Sequence, residues 1–413
     1  MENSSTMKPT STVALMIGMW MFSSWGVTPA AERTQGSPFS ERCQQQTSLS
    51  VEARKTVELL LAEAGTNDCE LAAENLSSRT KLRLDNTEIS DLSPLSELTN
   101  LEELSLNGNQ ITDISPLAKL TNLKQLSLDD NQITDISPLA KLTNLESLSV
   151  SRNQIADLIP LVELKNLTGI YLENNRMTNI SPLAKLQYLN WLHLDHNQIT
   201  DISPLAGLQN LKRLSLADNQ ITDISPLAEL TNLEEQLDLT LNQITDISPL
   251  AKLTNLESLL LTLNQITDIS PLAKLTNLKQ LSLEDNYIKD ISPLAELTNW
   301  ERLSLDYNQI TDISSLAELT NLISLSLNYN QITDISPLSR LTNLESLSLS
   351  DNQITDVSSL SGLTNLKVFS LNNNQITDVT PLSGLTNLIK LYLPGNPITQ
   401  PTCPILRPDV CQF

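Results

Sequence analysis

The chain is expected to fold as an α/β repeat solenoid, with short parallel strands on a concave face and proline-bearing turns on the convex one. Three observations predict this: a period of 22 residues, a Leu-x-Leu alternation in one half of most units, and a proline in most copies of the other half. A period in the twenties marks units that are each one supersecondary element and that bury their apolar face only against neighbours.

The organising stretch is Asn122 to Thr143, NLKQLSLDDNQITDISPLAKLT, and the sequence on either side largely copies it. Aligning Leu-x-x-Leu-x-Leu-x-x-Asn-x-Ile places asparagine at 109, 131, 153, 175, 197 and 219. It recurs at 242, 264, 286, 308, 330, 352, 374 and 396, the step from Asn219 to Asn242 being one residue longer than the others. A degenerate first copy carries Thr87 in place of the asparagine, so fifteen units run from about Lys81 to Thr399.

In the strand half, the alternation predicts that Leu126 and Leu128 point inward while Gln125, Ser127 and Asp129 point out. In the other half, the proline removes a ladder donor, so Thr134 to Leu139 is expected to be a turn or one turn of 3₁₀ helix. Strands are shorter along the stack than the turns opposite them, and the stack therefore curves. Two polar columns repeat inside the apolar frame. The bend asparagine is expected to bond backbone groups that the turn leaves unpaired. The aspartate of Asp-x-Ser-Pro is expected to accept from N–H groups two or three residues on.

This motif, LxxLxLxxNxIxDIxPLxxLxN, covers about three quarters of the chain and resembles the bacterial leucine-rich-repeat family of internalin type. The resemblance implies a right-handed horseshoe with the parallel sheet inside and protein recognition on the concave face. Internalin-like proteins that bind host receptors carry wall anchors or further C-terminal domains, and this sequence ends at Phe413 without either. The fold is therefore carried over and the partner is not.

In chain order, residues 1–30 read as a signal peptide. Lys8 precedes the apolar run Val13 to Phe22, and small residues lead to a cleavage site after Ala30. That run is short for a membrane span, so an exported protein is expected, whether secreted, periplasmic or at the cell surface. Residues 31–80 are expected to be a linker and a helical cap. Cys43 and Cys69 flank the helical run Ser50 to Ala64, whose Val57, Leu60 and Leu61 cover the first repeat and which Gly65 ends. Residues 81–399 are the repeats. Residues 400–413 form a C-terminal cap with Cys403 and Cys411. Export and an even cysteine count suggest disulfides, and proximity favours 43 with 69 and 403 with 411.

The chain is 40% hydrophobic but only 3% aromatic, so leucine and isoleucine supply the core. A formal charge of −22 argues against nucleic acid and anionic membranes, both of which need a basic surface. It suits either simple solubility or a partner with a basic patch.

Function should lie where the concave face departs from its small and acidic floor. Three clusters do so: Tyr171, Trp191, His193 and His196; Leu241, Leu260 and Leu263 beside the one-residue insertion near Glu234 to Gln236; and the equivalent pair Tyr307 and Tyr329. Aromatic side chains on a ready-made sheet are common interface anchors. Trp300 replaces a core leucine and is expected to pack. Catalysis has little support, because the only histidines are His193 and His196 and no strained nucleophile turn or glycine-rich loop accompanies them. With Asp195 and Glu173 those histidines have the donor types of a small metal site, but neither metal nor cofactor is expected. The reading is a monomeric, non-enzymatic recognition module binding a protein or peptide. The alternative is an envelope-associated structural protein binding polysaccharide or cations with low specificity.

Overall fold

The computed structural model describes residues 37–413, so the expected signal peptide and the start of the linker lie outside the described residues. Three helices come first: α1 (Pro38–Gln44), α2 (Val51–Ala64) and α3 (Cys69–Ser77). Each starts on a side-chain cap, with Ser37 accepting from Ser40, Ser50 from Ala53, and Asp68 from Glu70 and Leu71. Gly65 ends α2 at φ +71°, a left-handed conformation that glycine adopts without steric penalty. Val57, Leu60 and Leu61 are buried, and α2 packs against the turn Ser93–Leu95 of the first repeat. Thr56 Oγ1 donates to the Asp91 carbonyl at 2.7 Å, tying the helix to that turn.

Sixteen parallel strands follow in one sheet, ordered as in the chain from β1 (Lys81–Arg83) to β16 (Cys411–Gln412). Fifteen belong to the expected repeats. The sixteenth comes from the C-terminal segment, where Leu391 and Tyr392 of β15 (Lys390–Tyr392) register with Cys411 and Gln412. It occupies the edge that the last repeat would otherwise leave open. Disulfides join Cys43 to Cys69 and Cys403 to Cys411.

The extra residue near Glu234 keeps the register of the sheet, although the strand that follows it pairs with the next one through Leu237 and Asp238 alone. Arg213, Leu214 and Ser215 of β7 (Arg213–Ser215) still face Gln236, Leu237 and Asp238 of β8 (Gln236–Asp238). The insertion is absorbed before the strand, where Glu234 and Glu235 both donate to the Lys212 carbonyl.

Opposite the sheet run the 3₁₀ turns, with proline at the first or second position in most of them, as at Ser137–Lys141. Leu123, Leu126, Leu128, Ile133, Ile136, Leu139 and Leu142 of the type repeat are all buried and belong to one apolar cluster extending from the helical cap to Val410. Trp300 is buried in the same cluster, and its indole N–H has no partner.

The bend asparagine stitches neighbouring coils together. Asn131 Nδ2 donates to Leu106 O of the preceding repeat and Leu128 O of its own, both at 3.0 Å, and Oδ1 accepts from Ile111 N at 3.0 Å. In the degenerate first copy the Thr87 hydroxyl donates to Leu84 O instead. The turn aspartate accepts from the N–H two residues on, as Asp135 does from Ser137 at 2.7 Å. That bond holds the carboxyls of Asp201, Asp290, Asp334, Asp356 and Asp378 below the ordinary aspartate range. Asn179 makes the same bond at 2.9 Å without a charge, so the column serves as an acceptor for the turn. A second asparagine column, of which Asn122 donating to Thr99 O at 2.9 Å is typical, links the coils before each strand. Its first member, Asn100, donates to Ser77 O at the end of α3 and joins sheet to cap.

Candidate functional site

On each strand the middle residue enters the core and its two neighbours face outward. Serine is the commonest residue of the outward floor, as in β3 (Gln125–Ser127) and β4 (Ser147–Ser149). Adjacent strands β5 (Gly169–Tyr171) and β6 (Trp191–His193) break this floor, and their register sets Gly169 beside Trp191 and Tyr171 beside His193. The Tyr171 and His193 rings stack with centroids 5.0 Å apart and planes at 29°. Both Trp191 and Tyr171 reach toward Gly169, where an added Cβ would lie 3.6 Å from Trp191 Cε3 and 3.8 Å from Tyr171 Cε2. Trp191 remains 36% exposed in the resulting patch.

The two histidines are separated. His196 lies past the end of β6 at φ +53°, and its Nδ1 sits 2.5 Å from Asp218 Oδ2. His193 Nδ1 instead faces Glu173 Oε1 at 3.6 Å and Asp195 Oδ2 at 4.0 Å. The opposite oxygens of these two carboxylates are held from outside. Ser151 Oγ donates to Glu173 Oε2, while Ser215 Oγ and the Ala217 N–H, the latter at 2.7 Å, donate to Asp195 Oδ1.

Asp195 belongs to a fourth hydrogen-bonded column that sequence reasoning missed. Two residues past the strand, Asp85, Asn107, Asp129, Asp306 and Asn328 each accept the equivalent N–H of the following coil at 2.7–2.8 Å. The recurrence of aspartate or asparagine at this register, between units that carry Ser151, Ala217 or Thr240 there, was the available signal, because both residue types offer the same acceptor oxygen. Burial raises the Asp306 carboxyl above its ordinary value, outweighing the hydrogen bonds from Ser326 and Asn328.

Four more of the expected site residues lie away from the strands. Leu241, Leu263, Tyr307 and Tyr329 occupy the bend just before the ladder asparagine, at φ between +52° and +57°. Other units place Gly108, Asp130 or Asn174 there, residue types that accept left-handed backbone more easily. The four side chains are exposed along one rim, and the Tyr307 and Tyr329 rings stack with centroids 4.1 Å apart and planes at 10°. Tyr287, which sequence reasoning passed over, lines a rim groove with Leu263, Tyr307, Tyr329, Asp285 and Gln309. A hydrogen bond to Tyr307 and the nearby Asp351 charge push the Tyr329 hydroxyl up to about 12. Leu260 stands apart, on β9 (Ser258–Leu260) beside Ser282, where it is half-buried.

At the N-terminal end the concave face opens into a hollow of about 680 Å³. Its basic residues are paired, Arg79 with Glu63, Lys81 with Glu103 and Arg83 with Asp85.

Coils of this length, with a leucine frame, an asparagine ladder and a parallel inner sheet, define the leucine-rich-repeat solenoid. A family profile described as leucine-rich repeats (two copies) matches residues 80–119, 121–163, 165–207, 189–229, 209–252, 235–274, 254–296, 276–318, 320–363 and 364–402. An internalin of Listeria monocytogenes, InlF, is 41% identical in its solved structure, with 77% of this chain and 95% of that one covered at a TM-score of 0.74. A leucine-rich-repeat protein of Leptospira interrogans is 29% identical over 79% of this chain and 93% of that one, with a TM-score of 0.70. The functional domain of Listeria monocytogenes InlJ is 25% identical over 77% and 74%, with a TM-score of 0.64. No curated protein sequence matches the chain. The chain belongs to the leucine-rich-repeat family, and its repeats are of the internalin type.

Proposed function

We propose that this chain is an exported, non-enzymatic recognition module that binds a protein or peptide on its concave face, anchored at Tyr171, Trp191 and His193. The observation that carries the reading is the aromatic patch on β5 and β6, where an exposed Trp191 and a stacked Tyr171–His193 pair interrupt a serine floor. A preformed sheet presents those rings without ordering a loop first, so less conformational entropy opposes binding. The charge of −22 favours a partner with a basic patch. Two disulfides suit an oxidising compartment, and no described helix is long and apolar enough to cross a membrane. In this reading residues 1–30 are a removed leader, residues 31–80 include the cap, and residues 81–399 present the binding face as a monomer.

The double variant Tyr171→Ala with Trp191→Ala tests the proposal. Affinity capture with the oxidised native protein should retain a specific partner that the variant loses, with circular dichroism and melting temperature unchanged. Equal retention of the same partner at equal affinity would place the binding surface elsewhere.

A further inference from the structure

Beyond partner recognition, and sharing His193 with the proposed anchor, we propose that Glu173, His193 and Asp195 form a binding site for one divalent first-row transition cation of the zinc type. One nitrogen and two oxygens from neighbouring coils converge here, with the candidate ligand atoms all within 4.8 Å of one another. Tetrahedral zinc with bonds near 2.1 Å brings its ligands to roughly 3.4 Å apart. His193 Nδ1 already lies 3.6 Å from Glu173 Oε1 and 4.0 Å from Asp195 Oδ2, so small carboxylate rotations close the set.

Three features make this more than neighbouring acids. The supports described above engage only the far oxygen of each carboxylate, so Glu173 Oε1 and Asp195 Oδ2 are left facing the imidazole. The Tyr171 ring stacks on His193 and restrains the imidazole plane, within which Nδ1 faces those oxygens. Such outer supports orient metal ligands and tune affinity in established sites. Finally, neither Glu173 nor Asp195 forms a salt bridge with lysine or arginine among the described residues, which leaves their negative charge for a cation. An imidazole ligand selects a borderline metal over calcium or magnesium, which prefer all-oxygen shells. The set differs from the pair of histidines that the sequence suggested, because His196 is engaged by Asp218.

The test uses the full oxidised protein stripped with EDTA and titrated calorimetrically with zinc chloride at neutral pH. One equivalent of zinc should bind, calcium and magnesium should bind far more weakly, and cobalt(II) should give a visible d–d absorption band. Asp195→Asn is the informative variant, since Asn107 and Asn328 occupy the same column and accept the same backbone N–H. It should keep the melting temperature of the metal-free protein and lose about a hundredfold in zinc affinity, at the upper end of what even outer-sphere changes cause. His193→Ala should do the same, while His196→Ala leaves zinc binding intact. The proposal is overturned if the native protein takes up no stoichiometric zinc, if calcium binds as tightly, or if Asp195→Asn and His193→Ala bind zinc as well as the native chain.

Discussion

Tyr307 holds φ at +52° in a bend where most other units use glycine, aspartate or asparagine, and Leu241, Leu263 and Tyr329 do likewise. Left-handed backbone costs an ordinary L-residue on the order of 1–2 kcal/mol, so these side chains are kept against local preference. Replacing Leu263 by asparagine should therefore stabilise the protein by about 1 kcal/mol, read as a higher urea midpoint with an unchanged m-value. A lower midpoint would mean that Leu263 contributes packing that its exposure does not suggest. At the same rim, ultraviolet titration should find a tyrosine ionising at about 12, the direction imposed on Tyr329 by Tyr307 and Asp351. Tyr307→Phe should bring that value down toward the ordinary tyrosine range, because it removes the first of those two causes.

Among the elements, the repeat is held by its asparagine more than by its strand, which is only three residues long. Asn264 Nδ2 donates to Leu239 O at 3.0 Å and Leu261 O at 3.1 Å, and Oδ1 accepts from Ile244 N at 3.0 Å. Alanine there leaves buried backbone groups unpaired on two coils, each worth about 1–3 kcal/mol. Asn264→Ala should accordingly lower unfolding free energy by about 3 kcal/mol or more, whereas alanine at the exposed neighbour Gln265 should change it by less than about 0.5 kcal/mol. The caps are elements of a different kind, stapled rather than repeated. The Cys43–Cys69 bridge closes a sequence separation of 26, for which chain entropy predicts about 3 to 4 kcal/mol. Replacing both cysteines with alanine should lower the denaturation midpoint by that amount and loosen α1 and α3 first, as hydrogen exchange would report.

On the scale of the whole molecule, stability should vary with pH in two opposed ways. The turn aspartates have folded-state values depressed below 3.8, so the unfolded chain binds more protons there and stability falls as pH drops through that range. Asp285 and Asp306 are raised, chiefly by burial, so the folded chain binds protons first and stability rises as pH falls toward 3.8 from neutrality. Melting temperature should therefore peak in the mildly acidic range above 3.8 and drop steeply below it, as scanning calorimetry across that range would record. A melting temperature that declines steadily from neutrality downward would mean that burial does not raise Asp285 and Asp306 in the folded chain.

How much was legible follows from repetition. Leu126 and Leu128 could be placed inward from one copy, and fourteen further copies left no other register. Periodicity also located the turns and the ladder asparagine, since each depends on contacts within one unit or with the next, and helix α2 was read from its own apolar spacing and the glycine that ends it. Helices α1 and α3 lie outside the repeat and were read only as a cap. The candidate site was legible as a list of departures, Tyr171 to Tyr329, but not as geometry. Sequence adjacency suggested that His193 and His196 act together, yet one sits on a strand and the other on a left-handed bend that aims it at Asp218.

Local and nearest-neighbour chemistry thus sets this protein's coils, curvature and apolar seam, because each coil meets only copies of itself at a constant offset. Tertiary contacts were needed to divide the concave floor from the rim and to pair the acidic column with backbone. They were needed equally to turn His193 toward Glu173 and Asp195. Those outcomes depend on backbone torsion and on which oxygen of a carboxylate is already taken, quantities that arise only once neighbouring coils have stacked.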